Sequence, residues 1–139
     1  EKPGHNFTLN ATFANVRAQD YDALVIPGGE QSIKTLSKNG RAVHYVRESF
    51  GHLKAIAATG EAVQLVNTAI QLPSVSVSTG DVNESYGVVT LKDVKPESLS
   101  EIVDLAKNSK GFFESFFYAV SQHRCWEREL DGLSTMISY

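Results

Sequence analysis

Ala55-Ile56-Ala57-Ala58-Thr59-Gly60 decides the fold, because an apolar run closed by a small polar residue and a glycine is typical of a buried strand that turns sharply into a helix. The run shows no polar alternation, which predicts a strand covered on both faces, as in a parallel sheet. In α/β enzymes this turn carries the nucleophile. Here that position is Ala58, whose methyl group cannot attack a carbonyl. The elbow of Ala58, Thr59 and Gly60 is therefore predicted to be vestigial, and no catalytic residue is assigned.

A second strand-helix unit precedes this one. Residues 21–26 read as a buried strand, residues 27–29 (Pro-Gly-Gly) end it, and helical spacing resumes over residues 31–37. A helix from Arg41 then leads into the strand that begins at Lys54. Two consecutive units of this kind predict an α/β fold with a doubly wound, mostly parallel sheet.

The second half of the chain predicts two more strands and two helical segments. Residues 75–78 and 86–91 read as strands, and the turn-rich residues 79–83 between them favour a hairpin or an edge extension. Pro96 suits the first turn of a helix that is expected to end near residues 108–111. An apolar stripe follows, and it is expected to be core more than a surface for client proteins: Phe112, Phe113, Phe116, Phe117 and Val120.

Two stretches carry resemblances to known families. Asp22–Gly29 together with Ala55–Gly60 resembles the DJ-1/PfpI superfamily, which is related to the class I glutamine amidotransferases. Active members of that superfamily place a cysteine where this chain has Ala58. The C-terminal stretch is similar to the Gln-His-Arg-x-Trp-x-Arg-Glu signature that closes large-subunit haem catalases, the fungal members among them. Its fixed positions are filled by Gln122, His123, Arg124, Trp126, Arg128 and Glu129.

The resemblance implies that residues 1–139 form a single flavodoxin-like C-terminal domain appended to a catalase core, inactive as a hydrolase or deglycase. It implies no cofactor in this chain and a haem in the parent core. The implied partners are the core domain, the neighbouring subunits of a homotetramer and unfolding client proteins. The alternative is a DJ-1/PfpI-type hydrolase, deglycase or amidotransferase relative whose nucleophile is displaced, for instance to Cys125.

The start of the chain raises a further expectation. In the flavodoxin-like strand order 2-1-3-4-5 the first strand lies inside the sheet, and residues 21–26 correspond to the third strand. The alternating residues 7–13 predict a strand or hairpin arm, but nothing ahead of them supplies the first strand-helix unit. The domain is therefore expected to be N-terminally incomplete in this chain.

The terminal signature predicts packing and not chemistry. Trp126 is expected to bury its indole and hold the last helix against the sheet edge. Arg124 and Arg128 are expected to pair with nearby carboxylates. The thiol of Cys125 is expected to be idle, although two arginines flank it.

Several other residues invite a binding role. Gly28, Gly29 and Glu30 precede a helix N-terminus and form a candidate anion-binding loop, although an adventitious anion or none is expected there. The spacing of His44, Glu48 and His52 could align metal ligands, but the row drifts around the helix, so no metal site is assigned. Residues 41–45 repeat the Arg-x-x-x-Tyr spacing of the haem-ligating tyrosine of catalases, and here they are interpreted as a helix face.

Composition limits the partners and the compartment. The 139 residues are 42% hydrophobic and 21% charged, which suits one globular unit with a core. The net charge of −3 offers no basic patch for nucleic acid, and no apolar stretch is long enough to cross a membrane. Three N-glycosylation sequons, at Asn6, Asn10 and Asn83, lean towards a secreted protein, with a cytoplasmic one as the alternative.

Overall fold

The computed structural model describes residues 8–94 and 99–138, with the backbone alone described for residues 99–103. The helices are α1 (Glu30–Ser37), α2 (Gly40–Gly51), α3 (Ala62–Ile70), α4 (Leu99–Ser121), α5 (Glu127–Leu130) and α6 (Leu133–Met136). The strands are β1 (Ala23–Ile26), β2 (Ala55–Thr59), β3 (Asn83–Ser85) and β4 (Val88–Leu91). A short 3₁₀ turn at Ala18–Asp20 precedes β1.

The four strands form one sheet in the order β1-β2-β4-β3. β1 pairs with β2 and β2 with β4 in parallel, while β3 pairs with β4 in the antiparallel sense. The parallel strands are joined by helices, as the right-handed crossover of α/β proteins requires. The predicted α/β fold with a mostly parallel, flavodoxin-like sheet is confirmed.

Each face of the sheet carries its own apolar core. On one face Phe50 of α2 and Val66 of α3 pack with Ile56, Ala58 and other buried residues. On the opposite face α4 packs Phe112 and Phe116 onto the strands, in a cluster with Ala55, Ala57, Val89 and Leu91. Small side chains on β2 allow the helices to approach the sheet closely.

The predicted aromatic stripe of α4 is divided between core and surface. Phe112 and Phe116 are buried, whereas Phe113 and Phe117 are 52% and 63% exposed. The two exposed rings stack with their centroids 6.0 Å apart. The expectation that the stripe is core holds for the first pair and is wrong for the second, because residues spaced by one on a helix point about 100° apart.

β1 forms one border of the described sheet. Val25 is 57% exposed, although its neighbours Leu24 and Ile26 contribute to the core. Val25 lies on the same face as Ala23, the face over which α4 packs. The absence of a first strand-helix unit stays a prediction about the domain.

Two predicted strands are wrong. Residues 8–13 form no strand: Asn15 closes a turn there, since Thr12 N donates to Asn15 Oδ1 at 2.7 Å. Phe7 lies outside the described residues. Residues 75–78 run beside the hairpin without a backbone ladder, because Ser78 N donates to the side-chain oxygen of Thr90 at 2.8 Å. A side chain there occupies the place that a neighbouring carbonyl would take in a sheet.

The hairpin itself lies further along the chain than predicted. β3 and β4 are joined by Tyr86 and Gly87, which have φ values of 53° and 70°. Two central residues with positive φ suit the right-handed twist of a tight antiparallel turn. The predicted strand at residues 86–91 is confirmed from Val88 onward, whereas the predicted turn at residues 79–83 overlaps the start of β3 at Asn83.

The predicted helix end near residues 108–111 is also wrong, because α4 is one helix of 23 residues that ends at Ser121. Asn108 does not stop it: its side chain donates to Asp81 Oδ1 at 2.7 Å. The apolar face that meets the sheet continues past Gly111 to Phe116, so packing outweighs the low helix propensity of Asn and Gly. Pro96 lies outside the described residues.

Residues 122–138, which follow α4, are called the terminal segment. Arg128 anchors this segment and is fully buried. Its Nε donates to Tyr86 O at 2.6 Å, and its Nη1 donates to Phe50 O and Lys54 O, each at 3.0 Å. The guanidinium also lies 4.2 Å above the Phe50 ring, in cation–π geometry. Burial lowers the pKa of Arg128 to about 10, so the group is charged at neutral pH. We call this set of contacts the Arg128 clamp.

The clamp overturns two sequence predictions. Arg128 donates to three backbone carbonyls and not to the carboxylates that were expected. A buried guanidinium needs hydrogen-bond acceptors, and at this position the fold supplies carbonyls. Trp126 is 58% exposed and does not fill the core. The clamp takes the place expected for the tryptophan: a cation, and not an indole, holds the terminal segment to the sheet.

Replacing Trp126 by alanine is therefore expected to cost at most about 1 kcal/mol of unfolding free energy, because its indole loses little contact. Phe116→Ala is the matched control, and truncating this buried ring is expected to cost about 3 to 5 kcal/mol. Denaturant unfolding of both variants checks the order. A larger loss for Trp126→Ala would restore the buried-tryptophan interpretation.

Candidate functional site

The vestigial elbow is closed by the sheet. Ala58 is fully buried and pairs with Ile26 on one side and Thr90 on the other. The left-handed conformation that makes the turn belongs to Gly60, with φ 56°, one residue beyond the end of β2. A nucleophilic elbow needs its reactive side chain exposed at the tip of the turn. Position 58 is instead inside the strand, so it offers a substrate neither a nucleophile nor access.

The candidate anion-binding loop is filled by side chains of the same chain. Gly28 N donates to Thr59 Oγ1 at 3.1 Å, and Gly29 N donates to Glu61 Oε2 at 2.9 Å. Gly28 also packs against the elbow, because a Cβ atom added there would lie 2.9 Å from Thr59 O. Glu61 thus places a carboxylate at the candidate anion-binding loop, and an external anion would have to displace it. Glu30, the third loop residue, is exposed at the start of α1.

Cys125, the candidate displaced nucleophile, lies on the opposite side of the domain. It lines a cleft of about 520 Å³ between α4 and the terminal segment, together with Ala55, Gly87, Tyr118, Gln122 and Trp126. Burial raises the pKa of the Cys125 thiol, and the neighbouring Arg128 charge offsets only part of that rise. A thiol of raised pKa is a weak nucleophile at neutral pH. Among the described residues that line the cleft there is no histidine to act as its base.

The histidine row of α2 serves the local fold. Glu48 Oε2 accepts from Ala18 N at 3.3 Å, and His52 Nε2 lies 3.0 Å from Gln19 Nε2. Both contacts hold the 3₁₀ turn against α2. In the part of the chain that the structure describes, no three His, Cys, Asp or Glu residues are placed to share a metal ion.

Tyr45 does not fit a haem-ligating role. Its hydroxyl donates to Arg17 O at 3.4 Å, and its ring meets Phe13 edge to face at 5.5 Å. Burial is the main cause that raises the pKa of Tyr45, the opposite of what a tyrosinate ligand needs. Arg41, four residues earlier, is exposed. The residues that repeat the haem-ligand spacing therefore form a helix face.

The sequons differ in their surroundings. Asn10 is exposed, whereas Asn83 begins β3 and its side-chain amide lies 3.3 Å from Ser76 Oγ. Asn6 lies outside the described residues. Within residues 8–94 and 99–138, none of the helices has the length and apolar character of a membrane-spanning segment.

A comparison with known families identifies this scaffold. The family model described as the DJ-1/PfpI family matches residues 1–86, more than half of the chain. The chain belongs to the DJ-1/PfpI family. In this DJ-1/PfpI domain the sheet and the elbow glycine are retained, and the elbow side chain is an alanine.

Several of the curated relatives are fungal catalases. The domain is 62% identical to Catalase-1 of Neurospora crassa over 88% of this chain and 17% of the relative. It is 42% identical to Catalase A of Emericella nidulans (91% and 18%) and 43% identical to Catalase A of Aspergillus fumigatus (88% and 17%). The chain thus spans less than a fifth of the length of these relatives. The resemblance to the C-terminal region of fungal large-subunit catalases is confirmed.

Sequence reasoning missed two functional features. Glu61 follows the elbow glycine without any distinguishing sequence pattern, and only the folded loop shows that its carboxylate accepts a hydrogen bond from Gly29 N. Arg128 was noted as part of the terminal signature, but no local pattern reveals that a charged side chain is fully buried. The one available signal was its fixed place in that signature.

A cysteine introduced at position 58 is expected to be unreactive. In a Cys125→Ser background, Ala58→Cys should react with a thiol reagent roughly tenfold or more slowly than Thr59→Cys, since only opening of the sheet exposes residue 58. The two variants place the same thiol on adjacent positions of β2. Faster labelling at position 58, with a depressed thiol pKa, would show that the elbow is open after all.

Proposed function

We propose that this chain is a non-catalytic C-terminal domain of a haem catalase, and that it stabilises the parent subunit and its assembly into a tetramer. The observation that carries the proposal is the closed elbow. Ala58 is fully buried, and the Glu61 carboxylate accepts a hydrogen bond from Gly29 N in the adjacent loop. A domain that keeps the scaffold and has lost the nucleophile is retained for its surfaces. The similarity to catalases supports the choice of parent.

In this proposal the parent disproportionates hydrogen peroxide at a haem in its core domain. In the same proposal no residue of this chain ligates that haem, and the hydrogen bond from the Tyr45 hydroxyl to Arg17 O supports this. The proposed partners are the catalase core domain and neighbouring subunits of a homotetramer. The acidic balance of the chain supports neither nucleic acid nor a membrane as a partner.

The Arg128 clamp provides the test of the stabilising role. In the full-length protein, Arg128→Met is expected to leave the initial peroxide turnover unchanged and to shorten its half-life at elevated temperature. The reason is that three buried carbonyls lose their donor, at a cost of about 1 to 3 kcal/mol for each unsatisfied group.

Arg124→Met is the matched control, because Arg124 is exposed. Its half-life should equal that of the wild type. Arg128→Lys keeps the charge but lacks the planar guanidinium, so its half-life should lie between those of Arg128→Met and the wild type. Immediate loss of turnover in a folded, assembled Arg128→Met tetramer would place the domain in the chemistry and contradict the proposal.

We propose in addition that the exposed aromatic rings of α4 bind unfolding client proteins. Phe113, Phe117 and Tyr118 are each more than half exposed along one stretch of helix. Such a patch is more apolar than an ordinary surface and suits contact with another protein. The core domain and a neighbouring subunit are the competing occupants of this patch.

The double variant Phe113→Ser, Phe117→Ser separates these roles. Suppression of aggregation of a heat-denatured client should fall in the full-length variant if the rings bind clients. A variant that suppresses aggregation as well as the wild type but dissociates more easily, measured by light scattering, would assign the patch to subunit contact.

We propose finally that the protein is secreted, on the strength of its sequons. Asn10 is the best candidate for a glycan because it is exposed. Native protein should then lose mass on N-glycosidase treatment, and Asn10→Gln should abolish part of that loss. An unchanged mass would favour the cytoplasmic alternative.

A further inference from the structure

The Arg128 clamp leaves one buried nitrogen without a partner. Nε and Nη1 of the guanidinium donate to carbonyls, but Nη2 makes no hydrogen bond among the described residues. The side chain is fully buried and charged at neutral pH. An unpaired donor of this kind is costly, and it would be stabilised by an acceptor that carries negative charge.

The sulfur of Cys125 borders the same space as this nitrogen. A Cβ atom placed on Gly87 would lie 3.1 Å from Arg128 Nη2 and 3.4 Å from Cys125 Sγ, so both atoms face Gly87. Sulfur of a thiol is only a weak acceptor. Cys125 is held in position by its own backbone, since its N–H donates to Leu53 O at 2.8 Å.

The thiol is also reachable from solvent. Cys125 is half-buried and lines the cleft between α4 and the terminal segment, which is wide enough for small solutes. Arg128 itself is fully buried and does not line the cleft, so a solute in the cleft meets Cys125 and not Nη2. The group best placed to satisfy Nη2 is therefore an oxygen atom bonded to Cys125.

We propose that Cys125 is a site of oxidation by hydroperoxides and that the buried guanidinium of Arg128 holds the oxygen added to its sulfur. With hydrogen peroxide, the sulfur attacks one peroxide oxygen, an S–O bond forms and the O–O bond breaks. The sulfur loses two electrons to give a sulfenic acid, and the departing hydroxide takes the thiol proton to give water. Beside the guanidinium the sulfenic acid loses its proton to solvent, and the resulting sulfenate oxygen accepts a hydrogen bond from Nη2.

The reaction is expected to be slow, because burial raises the pKa of the thiol and keeps the thiolate fraction small. Slow oxidation suits a site that records sustained exposure and does not turn over peroxide. Its consequence is mechanical: the added oxygen completes the hydrogen bonding of Arg128 and strengthens the attachment of the terminal segment. Oxidation of Cys125 requires only this geometry and does not depend on the parent being a catalase.

The first experiment imitates the added oxygen. In the full-length protein, Cys125→Asp places a carboxylate beside Nη2, and Cys125→Asn is its neutral control of the same shape. The Asp variant is expected to melt about 3 °C or more above the Asn variant, because the buried cation gains an anion. An Asp variant that melts at or below the Asn variant would overturn the proposal, since a buried carboxylate without a cationic partner destabilises.

The second experiment adds hydrogen peroxide to the full-length protein in repeated doses and follows the Cys125 peptide by mass spectrometry, with a sulfenic-acid-specific probe. Met136 is the only methionine of the chain and is 64% exposed, so its sulfoxide reports the dose that the domain received. Cys125 should gain oxygen, and the oxidised wild type should melt above the oxidised Cys125→Ser variant. A Cys125 that stays reduced while Met136 is oxidised, or an oxidised protein that melts lower, would refute the proposal.

Failure here is distinguishable from failure of the proposed function. The readouts are the mass of one peptide and the melting temperature, and neither needs peroxide turnover by the parent. Loss of turnover in a clamp variant would contradict the accessory-domain proposal and leave the oxidation of Cys125 untouched.

Discussion

The Arg128 guanidinium joins the terminal segment to two parts of the chain that are distant from it in sequence, residues 50–54 and the turn at Tyr86. It donates to the end of α2 at Phe50 O, to the entrance of β2 at Lys54 O and to the hairpin turn at Tyr86 O. Gly87, in the same turn, has a positive φ and leaves room for the guanidinium. A Cβ atom at this position would lie 3.1 Å from Nη2. A buried cation with backbone acceptors specifies one arrangement strongly, because any other leaves the charge unpaired.

The clamp and the closed elbow lie at different places in the sheet of this DJ-1/PfpI domain, and each is closed by contacts within the chain. At the elbow, an alanine inside the strand and a carboxylate on the loop amide remove both nucleophile and anion site. Near the clamp, the terminal segment is fastened to the entrance of β2. The sheet and the elbow glycine are present, and at both places backbone groups hydrogen-bond to side chains of the same chain.

Sequence alone predicted the parts that depend on apolar runs and glycines. β1, β2 and their helices follow from uninterrupted aliphatic segments closed by Pro-Gly-Gly and Thr-Gly, because these patterns report burial directly. The continuous α4 was missed because Asn108 and Gly111 resemble a helix end, yet packing of its apolar face on the sheet prevails. Residues 75–78 were wrongly predicted to be a strand. Ser78 N donates to a side-chain oxygen and not to a backbone carbonyl, and hydrophobic periodicity gives no signal for such a partner.

The site was harder to predict because its contacts join residues far apart in sequence. Trp126 and Arg128 stand two positions apart, and composition favours burying the tryptophan. The structure buries the arginine and exposes the tryptophan. Three carbonyls brought together by the fold decide the outcome, and they carry no sequence signal, since every residue has one.

The central claim is that the Arg128 clamp makes the terminal segment unfold together with the sheet. Hydrogen exchange of the full-length protein tests it at two amides: Cys125 N, which donates to Leu53 O, and Ile56 N, which donates to Gly87 O. The account predicts opening free energies within about 1 kcal/mol of each other, as for one cooperative unit. A Cys125 amide that exchanges like a frayed terminus while Ile56 stays protected would contradict it.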